Sequence, residues 1–530
     1  GLTFNNMTGG PNDLAINPVT KLPAVAYYDK QANVSGTTAI GALKYAYVDS
    51  DGNWNIEVVD SNYGTATCGV ANAYCVGAPN AAAGTNGAII ALKFKSDGTP
   101  AIAYVYGASL NTTNGYKQIR FAERSSSGWS ISVPFSSPTT GGNNVNVTAT
   151  FDPMKAVTLN FDSSNRPHIT FAFYSANLVS TNSALKYLFR ASDNSWTTSD
   201  IFQGLVSGSG TITALGQGDN QHGSFICSLS SMPTVTTVAV TGAAGIGMLH
   251  KVNRCTALSA TGACSTWATI DLTTSCGGVC LTGYSSNLGT RTDIIEDPAT
   301  NKPLLGIYST TTPANTLGTI LMPNTCDQAQ PTGAAWSAPK SVGTANQGQF
   351  GFRLAASTTN WYIGFLTAAT DVRVSYYTGG AWFANGHIVE TVATNSANEG
   401  VGFAYDSTGD NFYISYANTP AAATGTVGND MKVGSGTTSE LVTGGTAGTL
   451  ITEVIDNMYS AFPTTAVPML SSAIASNGTV GYAYFFQDAT VADSRLYYGI
   501  RSGTTTAPIF AQNIVTSHME GGASPLFVGS

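Results

Sequence analysis

Short runs of alternating apolar and polar residues, each closed by a cluster of Asn, Asp, Gly or Ser, fill almost the whole chain. The clearest set lies between Ala88 and Phe135: AIIALKF, the turn KSDGT, PAIAYVY, a long polar connection, QIRFAER, the turn SSSG, and WSISVPF. β-branched and aromatic residues at a period of two, bounded by turn residues, predict four strands. The order recurs. A first copy reads LAINP, PAVAYYD, ALKYAYV and WNIEVVD, and a third reads AVTLNFD, PHITFAF, ALKYLFR and WTTSDIF. The fourth (GSFICSL, TVTTVAV, IGMLHKV, WATIDL) is weaker. A fifth starts at TDIIED and a sixth at FRLAAS. A seventh runs through VGFAYD, NFYISYA, DMKVGS and the segment after Glu440. An eighth runs through SSAIAS, VGYAYFF, RLYYGIR and PIFAQNIV.

Six of the seven tryptophans mark one place in this repeat: Trp54, Trp129, Trp196, Trp267, Trp336 and Trp382 each follow a polar turn and open the fourth run. Self-similar four-strand units in tandem predict an all-β fold, a β-propeller of four-stranded antiparallel blades. The count favours eight blades, with seven as the alternative if the region 442–469 is read differently. One domain, 1–530, is expected, with repeats at about 11–60, 87–136, 154–203, 223–272, 290–343, 350–392, 400–445 and 470–515. Residues 516–530 then form a tail or a closing strand, and Leu2–Phe4 or Pro525–Val528 could each seal the ring. Small residues on the first run (Ala15, Ala91, Ala156, Ala404, Ala473) suit a crowded channel. The tryptophans and tyrosines are expected to fill the wedges between blades.

Connections between first and second runs are tight (SDGT, DSSNR, PATNK, STGD), as are most between third and fourth (DSDGN, SSSG, ASDNS). Asn, Asp and Gly stand where positive φ is wanted. The other two connections are long and variable. In an up-and-down blade they emerge together, so one face is built of short hairpins and the other of long loops. The long-loop face is the expected place for binding.

Only 10% of residues are charged, with a net charge of -8, and no Lys/Arg cluster appears, which argues against nucleic acid and anionic lipid. No apolar run reaches the ~18 residues of a membrane span. The chain opens on Gly1 rather than Met, the expectation for a mature, processed product. Eight cysteines in a chain of low charge imply disulfides and an exported, secreted or cell-surface protein. Cys68/Cys75, Cys255/Cys264 and Cys276/Cys280 are the local pairs, Cys227 and Cys326 remain, and connectivity stays open. CGGVC lacks a second half at zinc spacing.

The run PAVAYYD…GALKYAYVDSDGNWNIEVVD resembles a repeat of bacterial exported propeller proteins, of the form P-H-I-x-Y-x-D, L-K-Y-A, G-x-W, E-x-V-D. PHITFAF with ALKYLF matches as well, and the resemblance covers residues 11–203 before fading. It implies a propeller at the surface or outside the cell, and little chemistry. The turn DSDGNW (Asp49–Trp54) also looks like a shortened Asp-box of sialidases, a structural turn. The arginine motif such enzymes carry near their N-terminus is absent, and the ten arginines are scattered, among them Arg120, Arg124, Arg190, Arg373 and Arg495.

No catalytic constellation stands out. The five histidines (His168, His222, His250, His387, His518) show no metal-ligand pair such as HExxH, and His168 reads as a packed strand residue. No G-x-S-x-G elbow sits between strand and helix. Carboxylates on different blades could still converge, with Asp293, Glu296/Asp297 and Glu399 on or near first strands. Asp49, Asp51 and Asn53 offer oxygen to calcium but too few for a full site, so no cofactor is expected beyond that. Sequons at Asn33, Asn111 and Asn477 carry little weight in an Asn/Thr-rich chain. The function expected is therefore non-enzymatic: binding of a protein or glycan at a cell surface, adhesion, or self-assembly into an extracellular complex. The alternatives are a glycoside hydrolase or lyase with carboxylates at the channel mouth, and a lectin-like glycan-binding propeller.

Overall fold

The computed structural model describes residues 8–35, 38–51, 54–60, 74–76, 90–108, 116–136, 143–145, 157–175, 184–203, 222–240, 248–272, 288–309, 316–330, 340–343, 347–367, 371–383, 386–391, 401–418, 429–442, 451–458, 470–474, 480–487, 494–501 and 509–514. These residues form eight antiparallel sheets of four strands, three of them with one extra strand. Blade 1 is Thr8–Ile16, Pro23–Ser35, Thr38–Val48 and Trp54–Asp60, from channel to rim. Blade 2 is Ile90–Phe94, Pro100–Ala108, Tyr116–Ser125 and Gly128–Ser136. Blade 3 is Val157–Phe161, Pro167–Ser175, Ala184–Arg190 and Trp196–Gln203. Blade 4 is His222–Ile226, Pro233–Val240, Met248–Leu258 and Cys264–Asp271. Blade 5 is Leu288–Asp297, Lys302–Ser309, Thr316–Leu321 and Lys340–Gly343. Blade 6 is Gln347–Ala356, Trp361–Thr367, Asp371–Thr378, and a rim strand split into Ala381–Trp382 and His387–Thr391. Blade 7 is Gly402–Asp406, Asn411–Asn418, Asn429–Thr437 and Ile451–Met458. Blade 8 is Leu470–Ile474, Val480–Gln487, Ser494–Arg501 and Ile509–Ile514.

The inner strands touch in ring order, and the inner strand of blade 8 lies against that of blade 1. Eight blades therefore close the ring, rather than seven. Among the described residues, every blade is built from consecutive strands. The closing segments considered above, Leu2–Phe4 and Pro525–Val528, lie outside the described residues. Among the described residues, blades 8 and 1 meet through packing of Leu14, Val25 and Tyr27 against Ala483.

The seventh repeat differs from its expected limits. Its rim strand is Ile451–Met458, beyond residue 445, because a helical turn, Thr438–Val442, separates it from the third strand. Without a tryptophan to fix the register, ITEVIDNM had no marker in the sequence. Glu440 accepts the Thr437 backbone N–H at 2.6 Å while Thr437 Oγ1 accepts that of Glu440 at 3.3 Å, a reciprocal N-terminal cap for the turn.

The repeat tryptophans of blades 2, 3, 4 and 6 bind their blade to the one before it. Trp129 meets Tyr45 edge-on at 5.2 Å, Trp196 meets Phe121 at 5.3 Å, and Trp267 meets Tyr187 at 5.3 Å. The three partners occupy one register position on successive third strands. Thr319 holds that position in blade 5, and Trp382 donates its indole N–H to it at 2.7 Å. Trp267 lies within its strand rather than at its start, since the hairpin before it is lengthened and crossed by a Cys255–Cys264 disulfide. Trp336 lies outside the described residues.

Candidate functional site

The inner strands enclose a cavity of about 510 Å³, lined from blades 1 to 6 and 8. Its polar groups are Asp13, Lys93, Thr158, Asn160, Ser224, Asp293 and Arg353, set among Ala15, Ala91, Ile295 and Ala473. Consecutive residues of one strand line the cavity, as Asp13 to Ile16 and Asp293 to Ile295 do, because each inner strand turns an edge rather than one face to the channel.

An inner strand leaves one edge of N–H and C=O groups facing the channel, which must find partners. Asp13 accepts the backbone N–H of Leu92 at 2.7 Å, and Asp293 accepts that of Leu354 at 2.8 Å. Both reach from an odd blade to the next. Asp13 pairs with Ala26 and Asp293 with Gly306, the same register position of two repeats. Thr158 holds that position in blade 3, where Ser224 of blade 4 donates to its hydroxyl at 2.7 Å and Asn160 donates to Ser224 Oγ at 2.7 Å. The channel residues thus lock alternate seams.

A shared irregularity lies just above them. Opposite the fifth residue of the second strand, the inner strand breaks its register in blades 1, 5 and 6, next to Tyr27, Ile307 and Phe365. In blades 2 and 3 the break widens, so that Tyr74–Val76 and Asn143–Val145 pair above the inner strand proper. Bulges redirect the chain at rims of this kind. Here they stand at the channel mouth on the long-loop side. The loops beyond lie outside the described residues, as does the binding face expected there.

The opposite face is a belt of hairpin turns bonded from blade to blade. Asn17 donates to the Gly98 carbonyl at 3.2 Å, the Ser96 N–H to Asn165 at 2.8 Å, and Ser163 meets Ser231 at 3.1 Å. Glu296 then accepts from the Ser228 N–H at 2.9 Å and from Asn301 at 2.9 Å, and Asp297 accepts the Trp361 indole N–H at 3.1 Å. Lys21, Asn165, Ser231, Asn301 and Asp410 take positive φ in these turns, so the sequence marks only some of them with Asn or Asp. Of the carboxylates singled out in the sequence, Asp293 enters the channel, while Glu296 and Asp297 belong to this belt. Glu399 is outside the described residues.

His168 is buried and meets the Tyr187 hydroxyl at 2.7 Å, with Nε2 3.5 Å from Asp162. Burial lowers its pKa against the opposing pull of Asp162. Burial alone would raise Asp162, but hydrogen bonds from His168 and from the Arg166 backbone and guanidinium outweigh it and hold the carboxyl at about 2. This group lies at the seam of blades 3 and 4, where Arg166 also donates to the Thr261 carbonyl at 2.9 Å and Tyr187 meets Trp267. His387 is also buried, stacked on Phe383 at 4.1 Å. The side chains of His222 and His250, and all of His518, are outside the described residues.

Asp49 accepts from the Asp51 N–H at 3.0 Å and from Asn55 at 2.9 Å, which makes it the brace of its own turn; Asn53 is not among the described residues. Arg120 and Arg124 serve the seam between blades 1 and 2, on Asp60 and Glu57. Arg190 reaches Glu123 of blade 2, and Arg373 pairs within its strand with Asp371. The arginines therefore form no carboxylate-binding cluster among the described residues.

Cys255 and Cys264 are joined as expected, and the two cysteines left over are joined to each other: Cys227 and Cys326, 99 residues apart, link blade 4 to blade 5. Cys68, Cys276 and Cys280, and the side chain of Cys75, are outside the described residues.

No family model and no curated protein matches the chain. Among solved structures it is similar to the BP39L lectin from Burkholderia pseudomallei, at 10% identity and a TM-score of 0.45, covering 81% of this chain and 100% of that one. Polysaccharide lyase Uly1 is 9% identical with a TM-score of 0.41, covering 69% and 81%. The NanB sialidase from Streptococcus pneumoniae is 10% identical with a TM-score of 0.35, covering 93% and 91%. At this distance the blade architecture rests on the strand pairing of the chain itself.

Proposed function

We propose that the protein is a non-catalytic, exported propeller that binds a carbohydrate end in its central channel. One observation carries this reading: a cavity of about 510 Å³ gathers carboxylates, cations, an amide and hydroxyls from six blades around apolar side chains. Binding cavities of a few hundred cubic ångströms with a few convergent polar groups on an apolar floor are the usual form of small-ligand sites. A sugar presents hydroxyls that both donate and accept, and C–H faces that pack on methyl groups. Asp13, Asp293 and Asn160 supply acceptors, and Lys93, Arg353 and Asn160 supply donors. Both carboxylates also tie the next blade's backbone, which favours a fixed binding wall over a group that exchanges protons in turnover. Two disulfides support export. The polymer bearing the sugar would belong to a cell surface or an extracellular complex.

A glycan array with titration of its hits tests this. Ala473→Trp fills the cavity from blade 8, and Lys93→Ala removes an exposed channel donor with little cost to the fold. Both should weaken the hit at least tenfold, Lys93→Ala while melting as the wild type does and Ala473→Trp, which packs beside the seam of blades 8 and 1, while still melting cooperatively. Binding that survives the plugged channel unchanged would place the ligand elsewhere and end the reading. Two carboxylates on one cavity keep a hydrolase or lyase as the second reading. Product release from a polysaccharide panel, abolished in Asp293→Asn, would favour it instead.

A further inference from the structure

We propose that Cys227, Glu296 and Cys326 form a redox-gated site for a thiophilic divalent cation of the zinc type. The two sulfurs and a Glu296 oxygen all lie within 4.8 Å of one another. Cys227 stands on the inner hairpin turn of blade 4 and Cys326 on the outer turn of blade 5, with Cα atoms 5.5 Å apart. A tetrahedral zinc with Zn–S bonds of about 2.3 Å needs its two sulfurs roughly 4 Å apart. Small rotations of the two side chains span that change once the S–S bond is open.

The third ligand is already aimed. Glu296 Oε1 is 3.5 Å from Cys326 Sγ, and the carboxylate is fixed by the Ser228 N–H at 2.9 Å, the Ser228 hydroxyl at 2.5 Å and Asn301 at 2.9 Å. Such supporting bonds orient a ligand before the metal arrives. Cys326 is held by its own loop, where Gln330 bonds the Asn324 N–H at 3.1 Å and carbonyl at 3.1 Å. Charge balances as well. Two thiolates and a carboxylate leave one negative charge on a divalent cation. Arg254, 1% exposed, donates its Nε–H to the Cys326 carbonyl at 2.6 Å, and its Nη1 has no hydrogen-bond partner. The one carboxylate that acts on this guanidinium among the described residues is Asp327, which stands beside Cys326 and is not hydrogen-bonded to the guanidinium, so a net-negative metal cluster would add to that compensation.

The chemistry proceeds in two steps. Two equivalents of a low-molecular-weight thiol break the Cys227–Cys326 bond: the two reductant sulfurs join as a disulfide, and their two protons pass to the cysteines. The cation then binds both sulfurs as thiolates and releases those protons to water, with water as fourth ligand. The seam between blades 4 and 5 is bridged in either state, by a covalent bond in an oxidising environment and by a metal in a reducing one.

The test uses the full-length protein, reduced under argon. Zn²⁺ should protect two thiols from alkylation, and peptide mapping should identify them as Cys227 and Cys326. Co²⁺ should give a thiolate-to-metal absorption band that Zn²⁺ bleaches. Glu296→Gln should weaken cobalt binding at least tenfold, whereas Cys255→Ser/Cys264→Ser should keep the band. Equal alkylation of Cys227 and Cys326 with and without Zn²⁺ overturns the proposal, and so does a cobalt band that persists in Cys227→Ser/Cys326→Ser.

Discussion

His168 and Asp162 meet at the end of the first hairpin of blade 3, and both are held below their ordinary pKa, His168 by burial and Asp162 by its partners in spite of burial, which gives them the same dependence on acid. His168 has its pKa lowered from 6.5 by burial, so the unfolded chain takes up a proton that the folded chain refuses as pH falls below that value. Asp162 sits at about 2 in the fold against 3.8 when unpaired, through its bonds to His168 and Arg166. Its contribution is complete above the unfolded value and is lost as pH falls from about 4 toward about 2. Stability should therefore drop in two stages. The first begins near pH 6.5, with a slope of at most about 1.4 kcal/mol per pH unit, and the second lies below about pH 4 and totals roughly 2 kcal/mol. Urea unfolding of His168→Gln from pH 7.5 to pH 3 should lack the first stage and keep part of the second. Curves for the variant and the wild type that run parallel between pH 7 and pH 5 would show that His168 does not titrate with folding.

Between neighbouring blades one device appears twice. Asp60 at the rim of blade 1 accepts from the Tyr104 hydroxyl and from Arg120 at 2.7 Å, both in blade 2. Glu390 at the rim of blade 6 accepts from Tyr416 and Lys432 of blade 7 in the same way. Asp60 is 2% exposed, and removing it leaves the Arg120 guanidinium, 12% exposed, without the carboxylate that balances its charge. Asp60→Ala should therefore cost about 3 kcal/mol in urea unfolding. The more open pair of Lys186 with Asp200 should cost less than about 1 kcal/mol in Asp200→Ala. Equal losses would mean that the seam acid carries no special weight. These elements also show what the sequence could and could not tell. The tryptophan, the tight turns and the period-two runs are local signals, and they mark the strands of every blade but the rim strand of the seventh. The E-x-V-D run ends on Asp60, but nothing in the chain says that its partners lie 44 and 60 residues on, in another sheet. Cys227 and Cys326 were likewise left open. Yet the first turn of each blade faces the last turn of the next, as Arg166 on the Thr261 carbonyl at 2.9 Å repeats one blade earlier. Aligning the turns by repeat position would have suggested the pair.

At the scale of the ring, the channel is a product of closure, and its chemistry is dispersed over the chain for that reason. Asp13, Lys93, Asp293 and Arg353 are separated by up to hundreds of residues, and only Asp293 drew notice as a sequence feature. Stacking the inner strands by their pairing with the second strand puts Asp13, Thr158, Asp293 and Arg353 on one level, which is the signal that was available. That level exists only while blade 8 holds blade 1. Among the described residues the contact is made by apolar burial: Leu14, Val25, Tyr27 and Ala46 are each at most 6% exposed and share a cluster with Ala483. Deleting residues 470–530 would uncover them. The shortened ring should then bind a hydrophobic dye, lose its cooperative melt and lose channel binding together. Ala483→Trp makes the same point without deletion, since overpacking this seam should cost about 1–3 kcal/mol or more. A deletion variant that melts cooperatively at the wild-type temperature and takes up no dye would show that seven blades hold their shape alone, and that the seam between blades 8 and 1 does not set the geometry of the channel.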